Sequence, residues 1–207
     1  GGWVGPKGRV LRLTVTKDRK ASVANVFADM YQPHGLALGP DGKIYVGEKG
    51  RISRFDPNAV TPALDVVASD LPKDGLHPLT NLVFAPDGAL IVNIGAPTDR
   101  CETKAKPKVP QSPCPLTAGD RPRAALWRLS FDKPGGKVVK TEVLARGFRN
   151  SMALAYDPES GALLQGENGV DLPGEDEPAE ELNVVKPGAH YGWPFCSGKG
   201  KPLPGAG

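Results

Sequence analysis

The stretch "PHGLALGPDGKIYVGEKGRISRFDP" at residues 33–57 holds a short apolar strand, a Pro-Asp-Gly turn, a second apolar strand and a closing glycine. A similar order recurs in "HPLTNLVFAPDGALIVNIG" at 77–95 and in "RNSMALAYDPESGALLQGENG" at 149–169. Pairs of short apolar strands joined by tight turns, repeated along a chain, are typical of a β-propeller. The repeats therefore predict an all-β fold of the propeller class.

The spacing of the turns supports this prediction. The turn prolines Pro40 and Pro86 are 46 residues apart, and Pro86 and Pro158 are 72 apart. Residues 96–122 contain six prolines and no strand periodicity, and without these 27 residues the second interval is 45. A period of about 45 residues is that of one four-stranded blade. We therefore expect 96–122 to be a Pro-rich loop insertion within a blade.

The length of the chain limits the number of blades. The 207 residues accommodate three to four blades at this period, whereas a closed propeller has about four to eight. We expect residues 1–207 to form a partial propeller domain, with a small four-bladed ring as the alternative. No signal peptide is visible at the start of the sequence, which resembles the interior of a mature protein.

Composition and charge exclude several classes of function. Hydrophobic residues make up 39% of the chain, which suits a soluble globular domain. No apolar run approaches the roughly 18 residues of a membrane span. The net charge is only +3, and no basic stripe alternates with aromatic residues, so we expect no binding to nucleic acid.

One segment is strongly acidic. Nine carboxylates lie between Asp157 and Glu181, and no lysine or arginine occurs from Asn150 to Val185. A solvated loop is the simplest interpretation for most of these side chains. Because the carboxylates of such a segment repel one another, binding of a cation there would be physically reasonable.

Alignment of the repeats on Leu36, Leu82 and Leu154 brings polar residues to matching positions ahead of the first strand. Five positions earlier stand Tyr31, His77 and Arg149; four earlier stand Gln32, Pro78 and Asn150; two earlier stand His34, Thr80 and Met152. The innermost strands of a propeller all start at one face, so we expect a ring of polar groups around one mouth of the central channel. The members of this predicted ring are Tyr31, Gln32, His34, His77, Arg149 and Asn150. A turn role for His34 and an ion pair of Arg149 with the acidic segment remain alternatives.

Three further motifs carry a family resemblance: "GFRNSMALAYDP" (147–158), "GENG" (166–169) and "EELNVVKPGAHYGWPFC" (180–196). Together with 77–95 they resemble the soluble glucose/sorbosone dehydrogenases. These are six-bladed propeller enzymes that oxidise aldoses with pyrroloquinoline quinone (PQQ). The resemblance extends from about residue 30 to residue 196, apart from the insertion, and the "YGWP" ending is its most specific part.

The resemblance implies a catalytic role for His77 and Arg149. His77 matches the general base that takes the hydroxyl proton of the sugar while hydride moves to the quinone. A neutral imidazole suits that task at physiological pH. Arg149 matches an arginine beside the cofactor, where a fixed cation favours developing negative charge. Asn150 matches a cofactor contact, and Gln32 is a candidate contact from its place in the ring.

The resemblance also implies a calcium site. Gly169 and Val170 match a Gly-Pro pair whose carbonyl oxygens hold the Ca²⁺ that anchors PQQ, and Glu180 matches an acidic residue nearby. A carbonyl suits Ca²⁺ whatever its side chain. The family more often has proline at Val170, and it has Arg-Asn-Pro where this chain continues from Asn150 to Ser151. Its residues that clamp the PQQ carboxylates would lie beyond residue 207, so we expect this chain alone to bind PQQ poorly.

The cysteines bear on the compartment. Cys101 and Cys114 are 13 residues apart in the insertion, and a disulfide between them would stabilise the fold by about 3 kcal/mol. Two free thiols are the alternative, and Cys196 has no evident partner. A disulfide would indicate the periplasm or secretion.

Three functions are therefore considered. The first is a PQQ-dependent sugar dehydrogenase that uses Ca²⁺ and passes electrons to an external acceptor, a quinone or a cytochrome. The second is a non-catalytic propeller that binds a partner through its rim, with 96–122 as the interaction loop. The third is a calcium-dependent propeller of the lactonase type, which would not need "YGWP".

Overall fold

The computed structural model describes residues 7–77, 81–106, 110–171 and 178–203. The strands are β1 (Lys7–Val15), β2 (Ala21–Tyr31), β3 (Leu36–Leu38), β4 (Ile44–Glu48), β5 (Arg51–Phe55), β6 (Asp65–Ala68), β7 (Leu82–Phe84), β8 (Leu90–Ile94), β9 (Ala125–Phe131), β10 (Val138–Arg146), β11 (Ser151–Tyr156), β12 (Leu163–Glu167), β13 (Glu181–Val185), β14 (Cys196–Ser197) and β15 (Lys201–Pro202). The only helix within these ranges is a 3₁₀ turn at Pro115–Thr117. Pro78 and Thr80, which the repeat alignment sets beside Gln32 and His34, lie outside the described residues.

The strands form antiparallel sheets in simple chain order. The first main sheet has the order β3-β4-β5-β6, the second β10-β9-β8-β7, and the third β11-β12-β13. Two hairpins, β1-β2 and β14-β15, accompany them. The pairs β3/β4, β7/β8 and β11/β12 are the three repeats of the sequence. The prediction of an all-β fold is confirmed, and each repeat begins a meander of three or four strands, as in a propeller blade.

Strand β8 of the middle sheet is buried on both faces. All five residues of β8 are buried, and successive side chains of a strand point to opposite faces. Leu90, Val92 and Ile94 join an apolar cluster with Tyr45 of the first sheet. Ile91 joins a second cluster that includes residues of the third sheet, Leu163 and Val185 among them. The three sheets therefore stack face to face, with the second sheet between the other two.

The innermost strands lie side by side. Strand β7 neighbours both β3 and β11, and the Asn81 side chain donates from Nδ2 to the carbonyl of Met152 at 2.9 Å. This contact joins the start of β7 to the start of β11. The segments that lead into these strands, which carry the predicted polar ring, therefore meet at one end of the stack.

The insertion lies between β8 and β9 of the second sheet. Cys101 and Cys114 form a disulfide, so the pairing that the sequence left open is present, whereas Cys196 is a free cysteine. Both bridged cysteines are buried in an apolar cluster with Val170 and Trp193. The insertion is thus packed against the segments that follow β12 and β13. No helix in the described part of the chain has the length and apolarity to cross a membrane.

The burial of β8 gives a stability prediction. Ile91 is fully buried between the second and third sheets, so Ile91→Ala should lower the free energy of unfolding by about 2–5 kcal/mol. Val139→Ala is the control, because Val139 is 64% exposed on β10, and it should change stability by less than about 0.5 kcal/mol. Urea unfolding measures both. Equal effects of the two substitutions would contradict the stacked arrangement.

Candidate functional site

His77 lies just ahead of β7 and is largely buried. Its Nδ1 is 2.7 Å from the carbonyl oxygen of Ala96. A carbonyl can only accept a hydrogen bond, so Nδ1 carries the hydrogen and donates it. In the neutral imidazole, Nε2 is then the atom with the free lone pair. The hydrogen bond to the Ala96 carbonyl therefore leaves Nε2 as the ring atom that can accept a proton.

Gly95 and Ala96 bring His77 and Arg149 together. The N–H of Ala96 donates to the carbonyl of Arg149 at 2.7 Å. A Cβ atom on Gly95 would stand 2.4 Å from the carbonyl oxygen of His77 and 3.2 Å from that of Arg149. Only glycine allows this approach. The backbones ahead of β7 and β11 thus converge on the end of β8, as the repeat alignment predicted.

Arg149 is buried and held by polar groups on several sides. Its side chain is 3% exposed, with Nε 2.8 Å from Oδ1 of Asp99 and Nη2 3.0 Å from Oδ2 of Asp171. The Nε contact is an ion pair without the alignment of a hydrogen bond. Nη1 donates to the carbonyl oxygens of Asn168 and Gly169. The ion pair with the acidic segment, which the sequence left as an alternative, is therefore present in Asp171.

The environment of His77 lowers the pKa of its imidazole. Burial is the main cause, followed by the positive charge of Arg149. The hydrogen bond to Ala96 and the negative charges of Asp99 and Asp171 act in the opposite direction. A lowered pKa keeps the ring neutral at pH 7, which is the state that can accept a proton.

Asn150 has a buried oxygen that is available to a ligand. Its Oδ1 finds no hydrogen-bond partner among the residues that the structure describes, while its backbone N–H donates to Oε1 of Glu167 at 2.9 Å. A buried acceptor without a donor costs free energy. A bound molecule with an N–H or O–H group would relieve this cost, which fits the predicted cofactor contact.

Gln32 stands ahead of β3 at the matching position of the first sheet. Its backbone φ is 46°, in the left-handed region that few side chains adopt. The adjacent Tyr31 donates its N–H to Oε1 of Glu48 at 3.3 Å. A cofactor contact by Gln32 stays a prediction.

The three predicted metal ligands lie close together. Gly169 donates its N–H to Oε2 of Glu180 at 2.7 Å, and Val170 is buried next to it in the cluster with Trp193. The carbonyl of Gly169, however, already accepts from the Arg149 guanidinium. A calcium ion on that oxygen would meet a fixed positive charge, so these residues do not fit Ca²⁺ with Arg149 in this position. In the described ranges, no group of three or more His, Cys, Asp or Glu side chains could hold a metal.

The repeats differ in charge at the end of their second strand. In the first sheet, the buried Glu48 accepts hydrogen bonds from Arg51, directly opposite on β5, and from Ser53. In the third sheet, Glu167 occupies the matching position, and the residue opposite it on β13 is Glu181. Burial raises the pKa of Glu167 to about 8, with a further contribution from Glu181. Glu167 therefore keeps a proton at neutral pH.

Sequence reasoning missed both Glu167 and Asp99 as members of this region. Glu167 could have been found by extending the repeat alignment to the second strand with one extra residue allowed in the turn of the third repeat, which sets it on Glu48. Asp99 lies in an insertion without periodicity, so no pattern in the sequence marks it. A small cavity of about 20 Å³ adjoins Arg149 and Glu167, with room for about one water molecule.

The lowered pKa of His77 gives a pH-dependence prediction. An unfolded histidine titrates at about 6.5, so below that pH the unfolded chain takes up a proton that the folded protein resists. The stability linked to the neutral ring is therefore complete above pH 6.5 and is lost as the pH falls towards the folded-state pKa. Urea unfolding between pH 5 and 8 should show a shallower acid loss for His77→Gln than for the parent. Parallel curves would rule out a lowered pKa.

Comparison with known proteins adds to this geometry. Residues 47–201 match the family model described as Glucose / Sorbosone dehydrogenase, a range that includes every predicted site residue except Gln32. Quinoprotein glucose dehydrogenase B of Acinetobacter calcoaceticus is 37% identical over 67 residues, which cover 32% of this chain and 13% of that protein. An uncharacterised protein of Borreliella burgdorferi is 36% identical over 64 residues, covering 30% of this chain and 17% of that protein.

Solved structures share the fold. The family AA12 carbohydrate-active enzyme of Trichoderma reesei superposes with a TM-score of 0.69 at 21% identity, over 90% of this chain and 50% of its own. The PQQ domain of pyranose dehydrogenase from Coprinopsis cinerea, in its holo form, gives 0.67 at 18% identity, over 90% and 49%. The β-propeller prediction is confirmed. The chain spans about half the length of these two structures.

Proposed function

Because the chain belongs to the glucose/sorbosone dehydrogenase family, we propose that the protein containing it oxidises an aldose sugar or a sugar aldehyde with PQQ as cofactor. This proposal rests on the state of His77. Its imidazole is neutral, its Nε2 is the nitrogen that can accept a proton, and the buried cation of Arg149 lies near it. The match to a quinoprotein glucose dehydrogenase and the holo PQQ domain among the structural neighbours support the choice of cofactor.

His77 acts as the base of the proposed reaction. Nε2 accepts the proton of the sugar hydroxyl while Nδ1 keeps its hydrogen bond to Ala96. The imidazolium that forms is favoured by the negative charges of Asp99 and Asp171. PQQ, when bound, would supply the hydride acceptor: the hydride would come from the carbon that bears the hydroxyl, and that carbon would become a carbonyl carbon. The proton and the hydride thus leave the substrate for two separate acceptors.

In this proposal, Arg149 and Asn150 bind and orient the cofactor. The guanidinium of Arg149 is a permanent charge in a water-poor position, where it favours negative charge that develops nearby. Asn150 offers the buried Oδ1 to a donor group of the cofactor. Gln32 would add a polar contact from the first sheet.

Calcium enters the proposal only as a second component. A calcium structure of the Trichoderma reesei enzyme is among the structural neighbours, and the family resemblance points to Gly169, Val170 and Glu180. Since Arg149 binds the Gly169 carbonyl, calcium at that oxygen requires the guanidinium to release it. No step of the reaction proposed here runs through the metal.

The compartment and the electron acceptor are proposed on chemical grounds. The Cys101–Cys114 disulfide supports an oxidising location, the periplasm or the exterior of the cell. Reoxidation of the cofactor then calls for an external acceptor, either a quinone or a cytochrome.

Substitution of His77 tests the proposed reaction. His77→Ala should lower kcat by about 10²- to 10⁴-fold, because it removes the general base. The assay supplies PQQ, Ca²⁺ and a panel of aldoses, and it follows reduction of an artificial dye. Unchanged turnover of His77→Ala would remove the base role from this residue.

A matched histidine provides the control. His190 is partly buried and lies between β13 and β14, in contact with the Gly192 N–H, outside the predicted ring. His190→Gln should retain turnover within a few-fold of the parent at equal folded fraction. If the parent protein reduces no dye with any sugar of the panel, the proposed function is wrong.

A further inference from the structure

The insertion between β8 and β9 supplies a carboxylate to the centre of the candidate site. Asp99 lies three residues beyond Ala96, and its side chain is only 19% exposed. Its Oδ1 stands 2.8 Å from Nε of Arg149 and also accepts the N–H of Asp171 at 3.0 Å. One carboxylate oxygen therefore contacts both the arginine and the loop that follows β12.

Asp99 is itself held firmly in place. Its Oδ2 accepts from Nε of Arg100 at 3.1 Å. Its carbonyl accepts from Nε1 of Trp193 at 2.8 Å, and its N–H donates to Glu102 at 3.3 Å. The bridged Cys101 follows two residues later. The carboxylate is thus fixed by backbone and side-chain contacts that do not involve Arg149.

Four residues form a network of alternating charge. Asp99 contacts Arg149 and Arg100, and Asp171 contacts Arg149 through its carboxylate. Nη2 of Arg100 donates to the backbone carbonyl of Asp171 at 3.0 Å, which closes the ring. Two buried guanidinium groups are balanced by two carboxylates. Burial of an arginine without such a partner would be strongly unfavourable.

The two carboxylates that contact Arg149 differ in exposure. The Asp171 side chain is 82% exposed, whereas that of Asp99 is 19% exposed. Water screens an exposed ion pair, and such pairs contribute little. Asp99 is therefore the carboxylate that decides where the guanidinium of Arg149 stands.

We propose that Asp99 is a positioning residue for sugar oxidation: it fixes the Arg149 guanidinium against the insertion and so sets its place relative to His77 and the bound cofactor. This inference rests on the proposed function. Under this proposal the insertion contributes a residue to the candidate site, which an interaction loop on the rim of the propeller would not do. Misplacement of a catalytic group by about 1 Å can cost on the order of 10²-fold in rate.

The first test measures activity in a double-mutant cycle. Asp99→Asn keeps the shape of the side chain and removes its charge, and it should lower kcat/KM by about 10- to 100-fold. In an Arg149→Lys background the same substitution should have little further effect, because the group that Asp99 positions is already gone. Full additivity of the two substitutions would overturn the proposal.

The second test needs no cofactor. The charged groups that act on His77 are Arg149, Asp99 and Asp171, beside the Ala96 carbonyl. Since Asp99 raises the pKa of His77, Asp99→Asn should lower the His77 pKa further, as followed by NMR titration of the PQQ-free protein. The resonance is assigned by its loss in His77→Gln. A purely structural role would lower the melting temperature without this shift.

Two further variants secure the interpretation. Asp87→Asn is the matched control, because it removes an Asp–Arg pair with Arg128 on the exposed surface, and it should leave both kcat/KM and the His77 pKa unchanged. Asp99→Glu keeps the charge but displaces it, so it should lower kcat/KM with a smaller shift of the His77 pKa than Asp99→Asn. It also replaces Asp99→Asn if that variant does not fold.

The outcomes separate the two proposals. If the parent turns over no sugar, the proposed function fails, and the NMR titration alone decides whether Asp99 acts on this site. If the parent is active, but Asp99→Asn changes neither the His77 pKa nor the rate beyond its loss of folded protein, Asp99 is not a positioning residue. A lowered His77 pKa together with non-additive rates supports the inference.

Discussion

Ala96 uses both of its backbone polar groups to join two sheets, and the candidate site depends on this one residue. Its N–H binds the carbonyl of Arg149, and its carbonyl binds Nδ1 of His77. The same two bonds fix the backbone ahead of β11 and the tautomer of the imidazole. They form because Gly95 has no side chain to keep the flanking segments apart. The close packing that Gly95 allows therefore also fixes the tautomer of the His77 imidazole.

The repeats supply the framework, while a few positions within them set the electrostatics. Glu48 and Glu167 end equivalent strands and are both buried, yet Glu48 faces Arg51 and Glu167 faces Glu181. The first arrangement is an ion pair that needs no ligand. The second places two carboxyl groups beside Arg149 and the loop after β12, and it keeps Glu167 protonated. The same strand arrangement therefore ends in an ion pair in the first sheet and in a polar pocket in the third sheet.

The sequence predicted what depends on periodicity and missed what depends on the insertion. The order of short apolar run, tight turn and second apolar run in 33–57, 77–95 and 149–169 was sufficient for the strand pairs, since apolar runs bounded by turn residues are typical of buried strands. Matching positions in the repeats also placed His77 and Arg149 at one end. The direction of the Arg149 guanidinium could not be predicted, because Asp99 comes from a segment with no period. The disulfide stayed open for the same reason, since the spacing of two cysteines does not fix their pairing.

Trp193 explains how a Pro-rich insertion can hold a buried charge in a fixed place. Its indole N–H donates to the carbonyl of Asp99, and its backbone N–H donates to the carbonyl of Gly147 at 3.1 Å. Gly147 lies two residues before Arg149. One tryptophan of the "YGWP" motif therefore ties the insertion to the segment between β10 and β11 that bears the arginine, while the disulfide limits the freedom of the loop on the other side. The insertion and this late motif are mutually dependent, and together they bring the Asp99 carboxylate to the guanidinium.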